Sequence, residues 1–131
     1  MRKAGLLMGA VALLLMAFAG VAVAATITGD ARDNSLIGTK RADTIRGLGG
    51  DDRLAGRGGD DRLLGRGGND AIYGGLGSDR ISAGRGGDIV HSENDPNVVN
   101  VVECGAGRDV VYVDEVNRDR ISSDCESVRK R

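Results

Sequence analysis

From Thr26 to its end the chain contains no Phe, Met or Trp. Its single Phe (Phe18) and its three Met (Met1, Met8 and Met16) all lie in the first twenty-five residues. Two Tyr, one His, one Pro and two Cys complete the scarce set. Aromatic side chains supply much of the buried area of an ordinary core, and only 33 of the 106 residues from Thr26 onward are hydrophobic. That poverty argues against a compact enzyme domain or a helix bundle. At 131 residues the chain makes one domain at most. Two options are left: disorder, or a thin repetitive fold stabilised by something besides apolar burial. Glycine, by contrast, is abundant at 22 residues.

Residues 1–25 have the layout of a secretory signal. Arg2 and Lys3 give a short basic start, an uncharged run extends from Ala4 to Ala25, and Ala22-Val23-Ala24-Ala25 supply the small residues of a cleavage site. Cleavage after Ala24 and after Ala25 fit equally well. The competing reading is an uncleaved anchor, since 22 uncharged residues just span a bilayer. The Ala/Gly-diluted core favours cleavage, hence a secreted, extracellular protein with no stable membrane insertion afterwards. Without Arg2 and Lys3, sixteen basic against nineteen acidic residues leave a net charge of −3. In an oxidising compartment the lone pair Cys104 and Cys125 is best read as one disulfide.

A nine-residue period organises the middle of the chain. Blocks start at residues 29, 38, 47, 56, 65, 74 and 83 without a gap, from GDARDNSLI through GLGGDDRLA and GRGGDDRLL to AGRGGDIVH. Position six holds Asn34, Asp43, Asp52, Asp61, Asp70, Asp79 and Asp88. Position eight holds Leu36, Ile45, Leu54, Leu63, Ile72, Ile81 and Val90. Six glycine-rich, acidic residues suit a turn, and three residues around one aliphatic suit a very short strand.

Over residues 29–91 this pattern resembles the repeats-in-toxin (hemolysin-type) calcium-binding nonapeptide, GGxGxDxUx with U aliphatic. Blocks 47–82 match it best, whereas Arg32 and Arg41 replace glycine at position four and Ala83 opens the last block. The resemblance implies an all-β parallel β-roll, a β-solenoid in which two blocks make one coil of eighteen residues. Seven blocks then give three and a half coils and a rod of roughly 17 Å at the strand spacing of about 4.8 Å. The position-eight aliphatics become two facing ladders that form the whole core. Position six stacks into two edges, Asn34, Asp52, Asp70 and Asp88 on one and Asp43, Asp61 and Asp79 on the other. Carboxylates repeated at that spacing repel one another, and a cation between successive turns reverses the sign. Calcium suits a set of carboxylate and carbonyl oxygens, and the His/Cys set that zinc prefers is missing. By the family's geometry the sites lie between 52/70, 70/88, 43/61 and 61/79. About four calcium ions are expected, in the roughly 10⁻⁴–10⁻³ M range of extracellular modules. Asn34, being neutral, and Asp109, outside the array, are the weaker candidates. With so small a core, binding free energy is largely folding free energy. Asp51 and Asp60 at position five are expected to face solvent and offset Arg53 and Arg62.

After His91 the frame breaks at SENDPNVVN, and the motif returns out of frame as CGAGRDVVY, with a further echo at Asp119-Arg120-Ile121. Residues 26–91 are thus expected to be the repeat β-roll and 92–131 atypical capping repeats. A disulfide closing about 20 residues contributes roughly 3 kcal/mol. Glu103, Asp109 and Asp114 are an extra candidate calcium set. An enzyme is disfavoured, because the lone His91 has no nucleophile motif beside it and is expected to face solvent or sit in a turn. Nucleic-acid binding through the Arg-Gly-Gly stretches at 57–59, 66–68 and 85–87 conflicts with the negative net charge and the missing aromatics. A calcium-dependent adhesion or surface-associated module remains the alternative. Its exposed Arg face, with Arg62 and Arg80 on one sheet and Arg53 on the other, would recognise an anionic glycan or lipid.

Overall fold

The structure, a computed structural model, describes residues 23–93, 97–116 and 118–131. Among these there are twelve short strands and no helix. One sheet contains, in spatial order, β1 (Thr26–Thr28), β3 (Thr44–Leu48), β5 (Arg62–Arg66), β7 (Arg80–Gly84), β9 (Val101–Glu103) and β11 (Arg120–Ile121). The other contains β2 (Ser35–Ile37), β4 (Arg53–Ala55), β6 (Ala71–Tyr73), β8 (Ile89–His91), β10 (Val110–Val113) and β12 (Ser127–Lys130). We call them the odd and even sheets. Every pairing is parallel and joins a strand to the next but one in sequence, so the chain winds as a β-solenoid. The export signal expected over residues 1–25 lies, except for 23–25, outside the described residues. No helix among the described residues is long and apolar enough to cross a membrane.

The eighteen-residue coil follows directly from the nonapeptide. A strand alternates its side chains between faces, so the single aliphatic at position eight points in while positions seven and nine point out. Ile45, Leu63 and Ile81 stack in register on the odd sheet and Leu54, Ile72 and Val90 on the even sheet, all fully buried. Each such side chain contributes roughly 1.5–3 kcal/mol on burial. This is the two-ladder core expected, with no aromatic in it.

The solenoid is longer than seven blocks imply. It has about six coils, six strands to a sheet, and a length of roughly 29 Å at the strand spacing of about 4.8 Å. Ile27 on β1 adds a rung before the first block. Beyond His91, Val102 and Val111 continue the ladders beneath Ile81 and Val90. The offset there is 21 residues instead of 18, so the chain absorbs three extra residues between β8 and β9 and resumes its pattern. Residues 92–131 therefore build β9–β12 onto both sheets. Cys104 and Cys125 form a disulfide with Cα atoms 5.1 Å apart, and Cys104 is itself fully buried in the core.

Turn geometry accounts for the glycines. Position four takes left-handed backbone from the third block on, as at Gly68 (φ 93°), where a Cβ would collide with the Gly50 carbonyl. Arg32 and Arg41 have no such φ, so the first two blocks make a different turn that accepts side chains there. Position two is also left-handed, yet Leu48, Arg57 and Arg66 occupy it with φ of 77–79°.

His91 is on a strand and not in a turn. It lies half-buried on the outer face of the even sheet, stacked between Tyr73 (4.6 Å between centroids) and Tyr112 (4.9 Å). Parallel register makes this stack unavoidable, since the three residues occupy one position on β6, β8 and β10. Arg53 covers Tyr73 at 4.7 Å and Arg131 covers Tyr112 at 3.8 Å.

Candidate metal centre

The position-six side chains turn inward just ahead of each strand and stack along the two edges of the solenoid. Asp43, Asp52, Asp61, Asp70, Asp79, Asp88 and Asp109 are all at most 2% exposed, and Asn34 is buried at 7%. One carboxylate oxygen of each is used the same way. Oδ1 accepts the backbone N–H of the position-six residue one coil earlier, at 2.7 Å for Asp43 to Asp61, 2.8 Å for Asp52 to Asp70 and 2.7 Å for Asp70 to Asp88. Asp79 receives the amide of Asp61 at 2.9 Å and Asp109 that of Asp88 at 2.8 Å. The carboxylates are thereby fixed in a row, one per strand spacing.

The second oxygen divides the candidates into two groups. Oδ2 of Asp52, Asp61, Asp70, Asp79, Asp88 and Asp109 is buried with no hydrogen-bond partner. Oδ2 of Asp43 accepts from the Thr39 amide at 2.6 Å and the Thr39 hydroxyl at 2.9 Å. Asn34 is likewise closed within its own turn, accepting from the Asp30 amide at 2.8 Å and donating to Asp30 Oδ1 at 3.1 Å. The first two blocks thus satisfy their own position-six groups, while the later ones leave an oxygen bare.

A bare buried carboxylate oxygen is costly, and the electrostatics record it. Burial pushes the carboxyl pKa of Asp61, Asp79 and Asp88 up to about 7 and that of Asp70 up to about 6. Backbone hydrogen bonds oppose this shift, and neighbouring carboxylates on the same edge add to it. Asp52 and Asp109 are raised for the same first reason.

The surroundings supply further oxygens and nothing softer. A Cβ on Gly47 would run into Oδ2 of Asp52 and lie 2.8 Å from the Gly65 carbonyl oxygen, so position-one glycine leaves open a space on which both oxygens converge. A groove of about 540 Å³ runs past Asp33, Asp51, Asp52, Asn69 and Asp70 and opens the even-sheet edge to solvent. Oxygen donors of mixed carboxylate and carbonyl type are what calcium takes, and the residues present fit it.

Several neighbours fall outside this arrangement. Asp51 and Asp60 are exposed, as expected, but they do not pair with Arg53 and Arg62. Each accepts the amide of the position-five residue one coil on, Asn69 at 2.8 Å and Ser78 at 2.9 Å. Arg53 instead lies over Tyr73. Glu103, Asp109 and Asp114 do not converge, because Glu103 sits exposed on β9 while Asp109 is buried on the opposite edge. Cys104, Asp124 and Cys125 do cluster, but the disulfide leaves no thiolate to bind metal. Sequence reasoning missed Asn100. It takes position six after the three-residue insertion, accepting the Asp79 amide at 2.8 Å and donating to the Ser92 carbonyl at 2.9 Å. The signal was present in Asn100-Val101-Val102, which repeats the six-seven-eight pattern once the frame is shifted.

Residues 28–63 and 56–90 match the family model of the RTX calcium-binding nonapeptide repeat, described as four copies. No curated protein and no solved structure matches the chain. Period, parallel coil, aspartate edges and family match agree: residues 28–90 form an array of RTX calcium-binding nonapeptide repeats.

Proposed function

We propose that the chain is an exported protein whose repeat region folds when calcium binds along its aspartate edges. One observation carries the reading: six buried carboxylate oxygens without a partner, one on every position-six aspartate from Asp52 to Asp109. A fold that buries these charges with no compensation is penalised at each coil. Calcium supplies the positive charge that turns this penalty into attraction. The chain's own part is to hold Oδ1 on the preceding amide, so that Oδ2 is presented in a fixed place. Asp52, Asp61, Asp70, Asp79, Asp88 and Asp109 are the proposed ligands. Asp43 and Asn34, already satisfied by Thr39 and Asp30, contribute less. We place the count at about four ions in the ~10⁻⁴–10⁻³ M range. At cytosolic calcium the repeats stay unfolded, and after export they fold. The chain acts on this reading by binding, with no catalysis.

Calcium titration calorimetry on residues 26–131 tests the ligand assignment through two matched variants. Asp61→Asn removes a buried charge but keeps the acceptor for the Asp43 amide, and is expected to lower the number of ions bound. Asp51→Asn keeps the acceptor for Asn69 and changes only an exposed turn, so wild-type stoichiometry is expected. Equal losses would refute the distinction between positions five and six.

A further inference from the structure

The outward positions of the odd sheet have a charge that neither calcium nor the core requires. Arg46, Arg62, Arg66, Arg80 and Arg120 lie there against one acid, Glu103. The whole chain carries a formal charge of −1, so this face is segregated from the acidic edges. Arg62 and Arg80 stand in register on adjacent strands, where like charges destabilise. Glu93, which pairs with His91 and Arg131, belongs to the even-sheet side and does not offset them. Arg66 adds a second cost, since it holds left-handed backbone at φ 77° while its register partner one coil on is Gly84. Arg62, Leu64, Arg66, Ser82 and Arg85 line an open trough of about 530 Å³ on this face.

We propose that this face binds a linear acidic polysaccharide laid along the solenoid axis. Arg62 and Arg80 occupy equivalent places on the adjacent strands β5 and β7, and Arg120 takes the same place on β11 beyond Val101 of β9, so the three span about 14 Å at the strand spacing with one interruption. Such a row suits a chain that repeats its anionic groups. Guanidinium forks take carboxylate and sulfate in bidentate fashion, and Ser82 offers a hydroxyl partner beside them. The face has no aromatic on which bases stack, which disfavours nucleic acid. Its apolar side chains, Leu48, Leu64 and Val101, are scattered among the arginines, and it lacks the aromatic anchors that hold a protein in a lipid headgroup layer.

The test is binding of calcium-loaded protein with verified β-structure to a heparin oligosaccharide. Neutral dextran, anionic phospholipid vesicles and a single-stranded oligonucleotide are run in parallel. Heparin is expected to bind, dextran not, and affinity is expected to fall between about 50 and 200 mM salt. The double variant Arg62→Gln/Arg80→Gln should bind about tenfold more weakly. Arg66→Gly should also bind more weakly while being no less heat-stable, which a purely structural arginine would not do. Arg53→Gln, on the even sheet, should bind like the wild type. Absence of heparin binding, an equal loss from Arg53→Gln, or tighter binding to vesicles or oligonucleotide would each overturn the proposal.

Discussion

Neighbouring acids at positions five and six meet opposite fates. Asp51 projects outward and accepts an amide from the following coil, whereas Asp52 turns inward and accepts one from the preceding coil. Only the inward residue ends with an oxygen that nothing in the protein satisfies. A one-residue shift changes which face of the chain a side chain takes, and here it separates a turn residue from a proposed ligand. The pH dependence follows from the same burial. An aspartate titrates near 3.8 when free, and Asp61, Asp79 and Asp88 are pushed up to about 7 in the fold. Between these values the folded state holds more protons than the unfolded one, so metal-free stability falls as pH rises. In chelator the chain is therefore expected to show more β-structure near pH 5 than near pH 8, measured by circular dichroism. With calcium present the order reverses, because protons compete for the same oxygens and the calcium midpoint rises below about pH 7. A pH-independent calcium midpoint between 5 and 8 would contradict the role given to these carboxylates.

At the level of strands and turns, parallel register converts one residue per block into a continuous row. It makes a core from Ile45, Leu63 and Ile81, and it also makes rows that the sequence does not advertise. The stack of Tyr73, His91 and Tyr112 is one of these. Tyr112→Ala strips one ring from His91 and the platform beneath Arg131, and is expected to destabilise the fold by about 0.5–1.5 kcal/mol for the missing ring pair. Chemical denaturation of the calcium-loaded protein would read this, with Leu76→Ala, 66% exposed, as a near-neutral control. The repeat from Gly29 to His91 was legible because a nine-residue period leaves one choice for which face the aliphatic takes. Asn100 and β9–β12 were less so, because three inserted residues break the period locally while the coil resumes its register in space. Thr39 was also hidden, since its claim on Asp43 Oδ2 depends on a turn that differs from the one glycine makes in later blocks.

Across the whole molecule the charges are sorted by direction. Carboxylates line both edges, five arginines stand on the odd sheet, and the two ladders between the edges are apolar throughout. Poverty in aromatics is the condition for so thin a rod, one aliphatic deep on each side. It also leaves little apolar burial to offset the conformational entropy of 106 residues. The disulfide between Cys104 and Cys125 restrains the C-terminal coils but none of the blocks from 29 to 91. Those blocks must obtain their stability elsewhere, and the unpartnered oxygens of Asp52 to Asp88 point to where. The most direct measurement is far-UV circular dichroism of residues 26–131 during a calcium titration, with chelator reversal and a magnesium control. The account predicts a cooperative gain of β-signal at a midpoint of about 10⁻⁴–10⁻³ M calcium, reversed by chelator and not produced by magnesium. A spectrum unchanged up to about 10 mM calcium would contradict it.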